Sequence, residues 1–323
     1  TGIDKEGRDR TAVCCLSSLN VEKYDEWKDD ELFVGDVMRF LDNVLTDFIE
    51  NAPEEFSDAT YSAIRERSVG LGVMGLHSYF QKKMMPLESV MSKVWNKQIF
   101  ENIQKKVDQS SKDLAEERGA CPDAEDYGIM ERFSNKTAIA PTASISIICG
   151  GTSPGVEPIA ANSYTHKTLS GSFNVRNKYL KKLLEKYGKN DDETWSSITT
   201  NQGSVSHLDF LTQDEKDVFK TAFELDQRWL VDLSADRTPH ISQAQSINIF
   251  LPADVHKRDL HQIHFQAWKK GLKSLYYCRS KSIQRAENVN DANSTDITAN
   301  VYKSKNKQIQ EEENKYEECL SCQ

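Results

Sequence analysis

Short runs of β-branched and small residues alternate along this chain with helix-length amphipathic segments, and that alternation leaves few architectures open. "TAVCCLSSLN" (11–20), "TAIAPTASISIIC" (137–149, bent at Pro141), "SQAQSINIFL" (242–251) and "LKSLYYCRSKS" (272–282) read as strands. Between them, residues 31–50 set Val34, Val37, Met38, Leu41, Val44, Leu45 and Phe48 at helical spacing. A long helix is expected from Pro86 to Arg118, stopped by Gly119. Strands separated by helices do not pair as tight hairpins; the crossover favours parallel neighbours. The expected fold class is therefore α/β with a largely parallel sheet.

Local signals refine this outline. In 11–20, Val13, Cys15 and Leu16 are expected inward. Residues 64–80 mix small residues with a three-to-four spacing. Gly70, Gly72 and Gly75 fit Gly-x-Gly-x-x-Gly, but no clear strand precedes them, so close backbone packing is the better reading than dinucleotide binding. "GGTSPGVEP" (150–158) is a tight loop, and 172–188 reads as helix. Thr212 and Glu215 form a capping box before a helix expected to bury Val218, Ala222, Leu225 and Trp229. A helix over 253–270 turns Leu260, Ile263, Ala267 and Trp268 inward and stops at Gly271. Residues 286–323 are polar and aperiodic, cannot bury enough surface to offset their ordering entropy, and are expected to form a mobile tail.

Composition narrows the partners. With 323 residues the chain has room for one large domain or two ordinary ones. No run approaches the length of a membrane span, and a net charge of −9 makes a poor partner for nucleic acid. The expected location is cytoplasmic, with neither membrane nor nucleic acid as partner. Seven cysteines is an odd number, and a chain this long needs no disulfide staples; Cys121, Cys149 and Cys278 are expected to be buried thiols. The polar opening "TGIDKEGRDR" reads as a loop of something larger.

Three groups of residues carry chemistry. Cys319 and Cys322 form a terminal Cys-x-x-Cys with no second ligand pair for a structural metal, so no metal site is expected. A dithiol on a mobile arm suits thiol–disulfide exchange; the plain alternative is two idle thiols. Tyr276 and Tyr277 are adjacent, and on an ideal strand would point to opposite faces as one core and one surface residue. In "APTASIS" (140–146), alternating hydroxyls after a proline bend, with exposed amides, suit a phosphate or an ordinary Ser/Thr turn.

Together these pieces resemble the large, catalytic subunit of class I ribonucleotide reductase, from its middle to its C-terminus. The family's "ALCTLS" corresponds to "AVCCLS" (12–17), "GRRTLGIGV" to "RERSVGLGV" (65–73) and "EQGACP" to "ERGACP" (117–122). Its "PSETSS…NGIEP" corresponds to "PTASIS…PGVEP" (141–158), its "GVKTLYY" to "GLKSLYY" (271–277), and its terminal cysteine pair to Cys319 and Cys322. The resemblance implies a ten-stranded α/β barrel, of which residues 1–285 would be the C-terminal half and 286–323 a redox tail.

It also implies roles. Cys14 matches the cysteine oxidised during turnover. Tyr276 and Tyr277 match a radical relay from a small subunit that carries a di-metal tyrosyl radical. Pro141, Thr142, Ala143, Ser144 and Ile145 match the loop that holds the substrate diphosphate, and Cys319 and Cys322 the pair re-reduced by thioredoxin or glutaredoxin. This chain would bind no cofactor itself. Ala143 stands where the family has Glu, and Cys15 stands where it commonly has Thr, so either Cys14 or Cys15 is open as the redox thiol, the pattern favouring Cys14. The family's Asn-x-Cys-x-Glu finger loop has no counterpart among the 323 residues. The chain is therefore expected to be the C-terminal half of a split or fragmentary subunit that needs an N-terminal partner chain. Rival readings are a docking remnant without catalysis, a stand-alone thiol oxidoreductase, and part of a cobalamin-dependent reductase. A relay requires neighbouring phenols in near contact. The backbone at Leu275–Cys278 is accordingly expected to leave regular strand geometry, with Tyr277 nearer the surface and Tyr276 nearer the interior.

Overall fold

The computed structural model describes residues 2–168 and 171–280. The expected tail, with Cys319 and Cys322, lies outside the described residues. A short antiparallel pair, β1 (Gly2–Ile3) and β2 (Asp9–Arg10), opens the chain. β3 (Cys15–Asn20) then pairs in parallel with β4 (Val69–Met74), Cys15 opposite Val69 and Asn20 opposite Met74. An antiparallel hairpin, β5 (Ser163–Thr168) and β6 (Gly171–Arg176), makes its own sheet. β7 (Ile249–Leu251) pairs in parallel with β8 (Cys278–Ser280).

Two single bridges join the parallel pairs into one run. Leu71 bridges Thr137, and Ile139 bridges Gln245, both parallel. The order is thus β3, β4, 137–139, 245–251 and β8: five parallel segments, half of the ten the resemblance implies. The helices between them cover the outer face. Helix Phe33–Asn51 lays Val34, Met38, Leu41 and Leu45 into one core with Leu19, Val69, Leu71 and Val73. Helices Gln227–Arg237 and Lys257–Lys269 pack Val231, Ile263 and Ala267 against Ile247, Ile249 and Leu251. A separate cluster around Trp195, Leu184 and Phe219 holds residues 180–219 together.

Glycine decides how closely the strands approach. A Cβ on Gly72 would lie 2.2 Å from the Ala138 carbonyl oxygen, and one on Gly70 2.5 Å from a Leu16 methyl. The expected close packing is present, but residues 64–80 are not one helical stretch. They contain the end of helix Ser57–Glu66, then β4, then helix Leu76–Lys82. The small residues that looked helical in spacing are there because the flanking segments leave no room for side chains.

Other expectations are corrected. After Pro141 the chain does not continue as a strand; it turns into the short helix Ile145–Ile148, with Ile148 82% exposed. Residues 172–176 belong to β6, and the helix begins at Lys178, capped by Asn177. The capping box at Thr212 and Glu215 forms, but its helix ends at Val218, and Trp229 sits in the next helix. Trp268 is 72% exposed, because Ile263 and Ala267 already fill the buried stripe of their helix. Cys121 is buried, whereas Cys149 and Cys278 are exposed. Among the described residues no helix is long and apolar enough to cross a membrane.

One buried carboxylate ties these layers together. Asp42, fully buried on helix Phe33–Asn51, accepts from Arg67 at 2.6 Å, Arg132 at 3.0 Å and Arg118 at 2.8 Å. Burial alone would push its carboxyl up; the hydrogen bond from Arg132 and the charges of Arg67 and Arg132 hold it below its ordinary value of 3.8. A lowered folded-state pKa contributes stability that is complete above the unfolded value and is lost as pH falls through the folded one. We therefore expect Asp42→Asn to cost about 3–5 kcal/mol at neutral pH, since it leaves three guanidinium groups around an uncharged amide. Urea midpoints measured against pH check this: the deficit should shrink below about pH 4. A deficit that stays constant through the acid range would assign the loss to packing instead.

Candidate active site

Cys14 and Cys15 are adjacent at the start of β3 and therefore face opposite sides of the sheet. Cys15 packs with Val13 against the main core. Cys14 Sγ lies on the other, inner face, where a Cβ on Gly70 would meet it and Ala138 Cβ at 3.0 Å each. Leu16, expected inward with the core, shares the Cys14 face and is 54% exposed. Gln243 Nε2 donates to Cys14 Sγ over 3.2 Å and to the Val69 carbonyl over 2.9 Å. Burial pushes the Cys14 thiol up, while hydrogen bonds from Gln243 and Ser68 act the other way. The Cys15 thiol is also pushed up, first by burial and then by its neighbour Cys14. Of the two, Cys14 is the one presented to the interior of the half-barrel.

The tyrosines precede β8. The Tyr276 amide donates to the Ile247 carbonyl, and the Tyr277 amide to Asn248 Oδ1 at 3.1 Å. The Tyr277 carbonyl accepts from the Ile249 amide. Successive amides of a regular strand point to opposite sides. Here two in a row turn to the same neighbour, a break in alternation of the kind a bulge makes. The side chains lose their alternation with the backbone, and the two rings meet with centroids 4.1 Å apart at 53°. This is the ring contact expected from the sequence. Tyr277 is 52% exposed and Tyr276 36%.

The loop 141–145 follows segment 137–139 at its C-terminal end, whereas Cys14 stands at the N-terminal end of β3; the tyrosines bond beside Ile247 and Asn248, just past the Gln245 that bridges Ile139, and so lie on the side of this loop. Thr142 has φ +54°, a left-handed conformation that a β-branched residue adopts only under constraint. Its hydroxyl oxygen accepts from the Gly155 amide at 2.7 Å. Gly155 in turn belongs to a loop stapled to helix Leu76–Lys82, where Ser78 and Ser153 exchange reciprocal amide-to-hydroxyl bonds of 3.1 and 2.8 Å. His77, buried and pushed down to about 3 by burial, accepts from the Ile159 amide through Nδ1. Ser146 is committed as well, its hydroxyl donating to the Ala143 carbonyl. Among the described residues, the amides of Ala143, Ser144 and Ile145 have no acceptor. The loop therefore offers an anion three backbone donors and the Ser144 hydroxyl, rather than the full row of hydroxyls expected from the sequence.

Sequence reasoning missed the groups that orient these residues. Glu157 accepts from the Asn248 amide at 2.8 Å and from Asn248 Nδ2 at 3.1 Å, and Asn248 holds Tyr277. Burial pushes the Glu157 carboxyl up. Its one available signal was a lone acid in the otherwise small and apolar "SPGVEP". Gln243 had no local signal at all.

Such an arrangement defines a parallel α/β-barrel protein whose inner face carries a thiol and whose edge carries paired phenols. The model of the ribonucleotide reductase barrel domain matches residues 3–128 and 123–278, and the chain belongs to that family. It is 49% identical over 322 residues to the ribonucleoside-diphosphate reductase large subunit of Invertebrate iridescent virus 6, covering 96% of this chain and 33% of that protein. The corresponding large subunit of Invertebrate iridescent virus 3 is 46% identical, over 88% of this chain and 46% of its own length. Among solved structures, the Actinobacillus ureae class Id ribonucleotide reductase alpha subunit superposes with a TM-score of 0.79 at 39% identity, over 86% of this chain and 51% of that one. The chain thus spans between a third and about half the length of these relatives.

Proposed function

We propose that this chain is the C-terminal part of the catalytic barrel of a ribonucleoside-diphosphate reductase large subunit, reducing ribonucleotides to deoxyribonucleotides in the cytoplasm for DNA synthesis. In this reading the substrate diphosphate rests on Pro141, Thr142, Ala143, Ser144 and Ile145. A radical arrives through Tyr277 and Tyr276 from a small subunit bearing a di-metal tyrosyl radical. A radical at C3′ of the ribose labilises the 2′-hydroxyl, and Cys14, with a second cysteine outside this chain, supplies two electrons as the pair becomes a disulfide. Cys319 and Cys322 then reduce that disulfide and are themselves reduced by thioredoxin or glutaredoxin. The radical cysteine would come from the N-terminal half of the large subunit, whose Asn-x-Cys-x-Glu is not among the 323 residues.

The observation that carries this reading is the contact of the Tyr276 and Tyr277 rings at 4.1 Å, which a regular strand would forbid. Two adjacent tyrosines serving only as packing have no need of it. Reconstitution tests the reading. Turnover of a ribonucleoside diphosphate should appear when the chain is mixed with an N-terminal polypeptide containing Asn-x-Cys-x-Glu and a radical-bearing small subunit. It should be absent when any of the three is left out. Turnover by the 323-residue chain alone would overturn the proposed division of labour.

A further inference from the structure

We propose that Gln243 is a positioning residue for the Cys14 thiol, and that Lys273 holds Gln243 in place, so that the segment leading into the tyrosine pair controls how readily Cys14 ionises. Taking Cys14 as the redox thiol rests on the function proposed above; the contacts themselves do not.

Gln243 spends both carboxamide hydrogens on this task, one on Cys14 Sγ at 3.2 Å and one on the Val69 carbonyl at 2.9 Å. An N–H aimed at sulfur favours the thiolate over the thiol, and the thiolate is the form in which Cys14 departs when another thiol opens its disulfide. The groups that face the thiol are few. Ser68 is the other donor, Cys15 is adjacent, and the Arg67 guanidinium acts on Cys15. Among the described residues the hydrogen-bond donors to Cys14 are neutral, and they do the work a lysine or histidine does beside many reactive cysteines.

Gln243 is fixed from two sides. Lys273 Nζ donates to three successive carbonyls, those of Ile241 at 2.9 Å, Ser242 at 2.6 Å and Gln243 at 3.0 Å. Three convergent carbonyls on one ammonium hold that turn in a single shape. Ser242 Oγ accepts from the Lys136 and Thr137 amides at 3.0 and 2.9 Å, pinning the same turn to the start of segment 137–139. Lys273 lies three residues before Tyr276, on the segment that shapes the relay. A shift of that segment moves the turn, and the turn carries the carboxamide that faces Cys14.

The test reads the thiol directly and needs no turnover. In the full 323-residue chain with Cys15→Ala as background, iodoacetamide alkylation of Cys14 is followed by mass spectrometry across pH. Gln243→Leu and the isosteric Gln243→Glu should each move the midpoint up by about one pH unit, a rate loss of up to about tenfold below it. Lys273→Met should move it in the same direction by about half as much. Circular dichroism identifies any variant that fails to fold, and either Gln243 variant suffices to read the effect. Superimposable profiles for parent and Gln243 variants would overturn the role of Gln243. A shift in the Gln243 variants with none in Lys273→Met would overturn the coupling to the tyrosine segment. Should the reductase reading itself fail, reconstitution would show no turnover while these shifts remained.

Discussion

Tyr276→Phe should leave the chain folded and lower turnover of the reconstituted enzyme by at least about a thousandfold, a rise of about 4 kcal/mol in the barrier. The substitution deletes one oxygen from a ring whose residue is 36% exposed, so the change in stability should stay within about 0.5 kcal/mol. The contact with the Tyr277 ring, 4.1 Å between centroids, needs only the ring and survives. What disappears is the O–H. A phenol is oxidised at accessible potentials because its proton leaves with the electron, and a phenyl ring has no such proton. Tyr277→Phe should behave alike, for a relay in series fails at either step. The measurements are the urea midpoint, the affinity for the small subunit and the turnover number of the same preparations. Near-normal turnover of either variant would reduce the pair to packing, and a lost small-subunit affinity would move its role to docking.

The parallel α/β plan was legible because helix-length segments between strand-like runs impose crossovers. Helix Phe33–Asn51 and the Gly119 stop of helix Val90–Arg118 follow directly from their residues. β4 was hidden, because Gly70 and Gly72 are selected by the closeness of Leu16 and Ala138, which only the folded sheet brings near. The β5–β6 hairpin was hidden by the helix that follows it: Asn177 caps at Lys178, but the apolar spacing of Tyr179, Leu180, Leu183 and Leu184 drew the helical reading upstream.

The site divides in the same way. Cys14, the tyrosine pair and the loop 141–145 stood out through family patterns, each contained in a few consecutive residues. Gln243 and Cys14 are 229 positions apart, Asn248 and Glu157 91, and Asp42 and Arg132 90. No periodicity joins such pairs. A buried carboxylate among arginines, or an amide aimed at a thiol, has meaning only once the strands have set the distances.

Changing Cys319 or Cys322 to Ser should separate two sources of electrons. Between Ser280 and Cys319 the chain advances 39 residues, a contour of up to about 130 Å, longer than the span of a domain this size. A dithiol tethered by such a length acts at an effective concentration on the order of millimolar. On the proposed reading, turnover driven by thioredoxin or glutaredoxin, proteins too large to enter the barrel, would rely on that tethered pair. Losing either sulfur should lower it by at least about a hundredfold. A small dithiol supplied at about 10 mM matches the tethered concentration and enters by itself, so turnover in dithiothreitol should stay within about twofold of the parent. The comparison is internal, since one preparation is assayed with both reductants and any general loss of folding lowers both rates together. Equal losses with both reductants would make the terminal cysteines part of the catalytic site or of the fold. Equal retention would make them idle, and electrons would then have to reach the Cys14 disulfide without them.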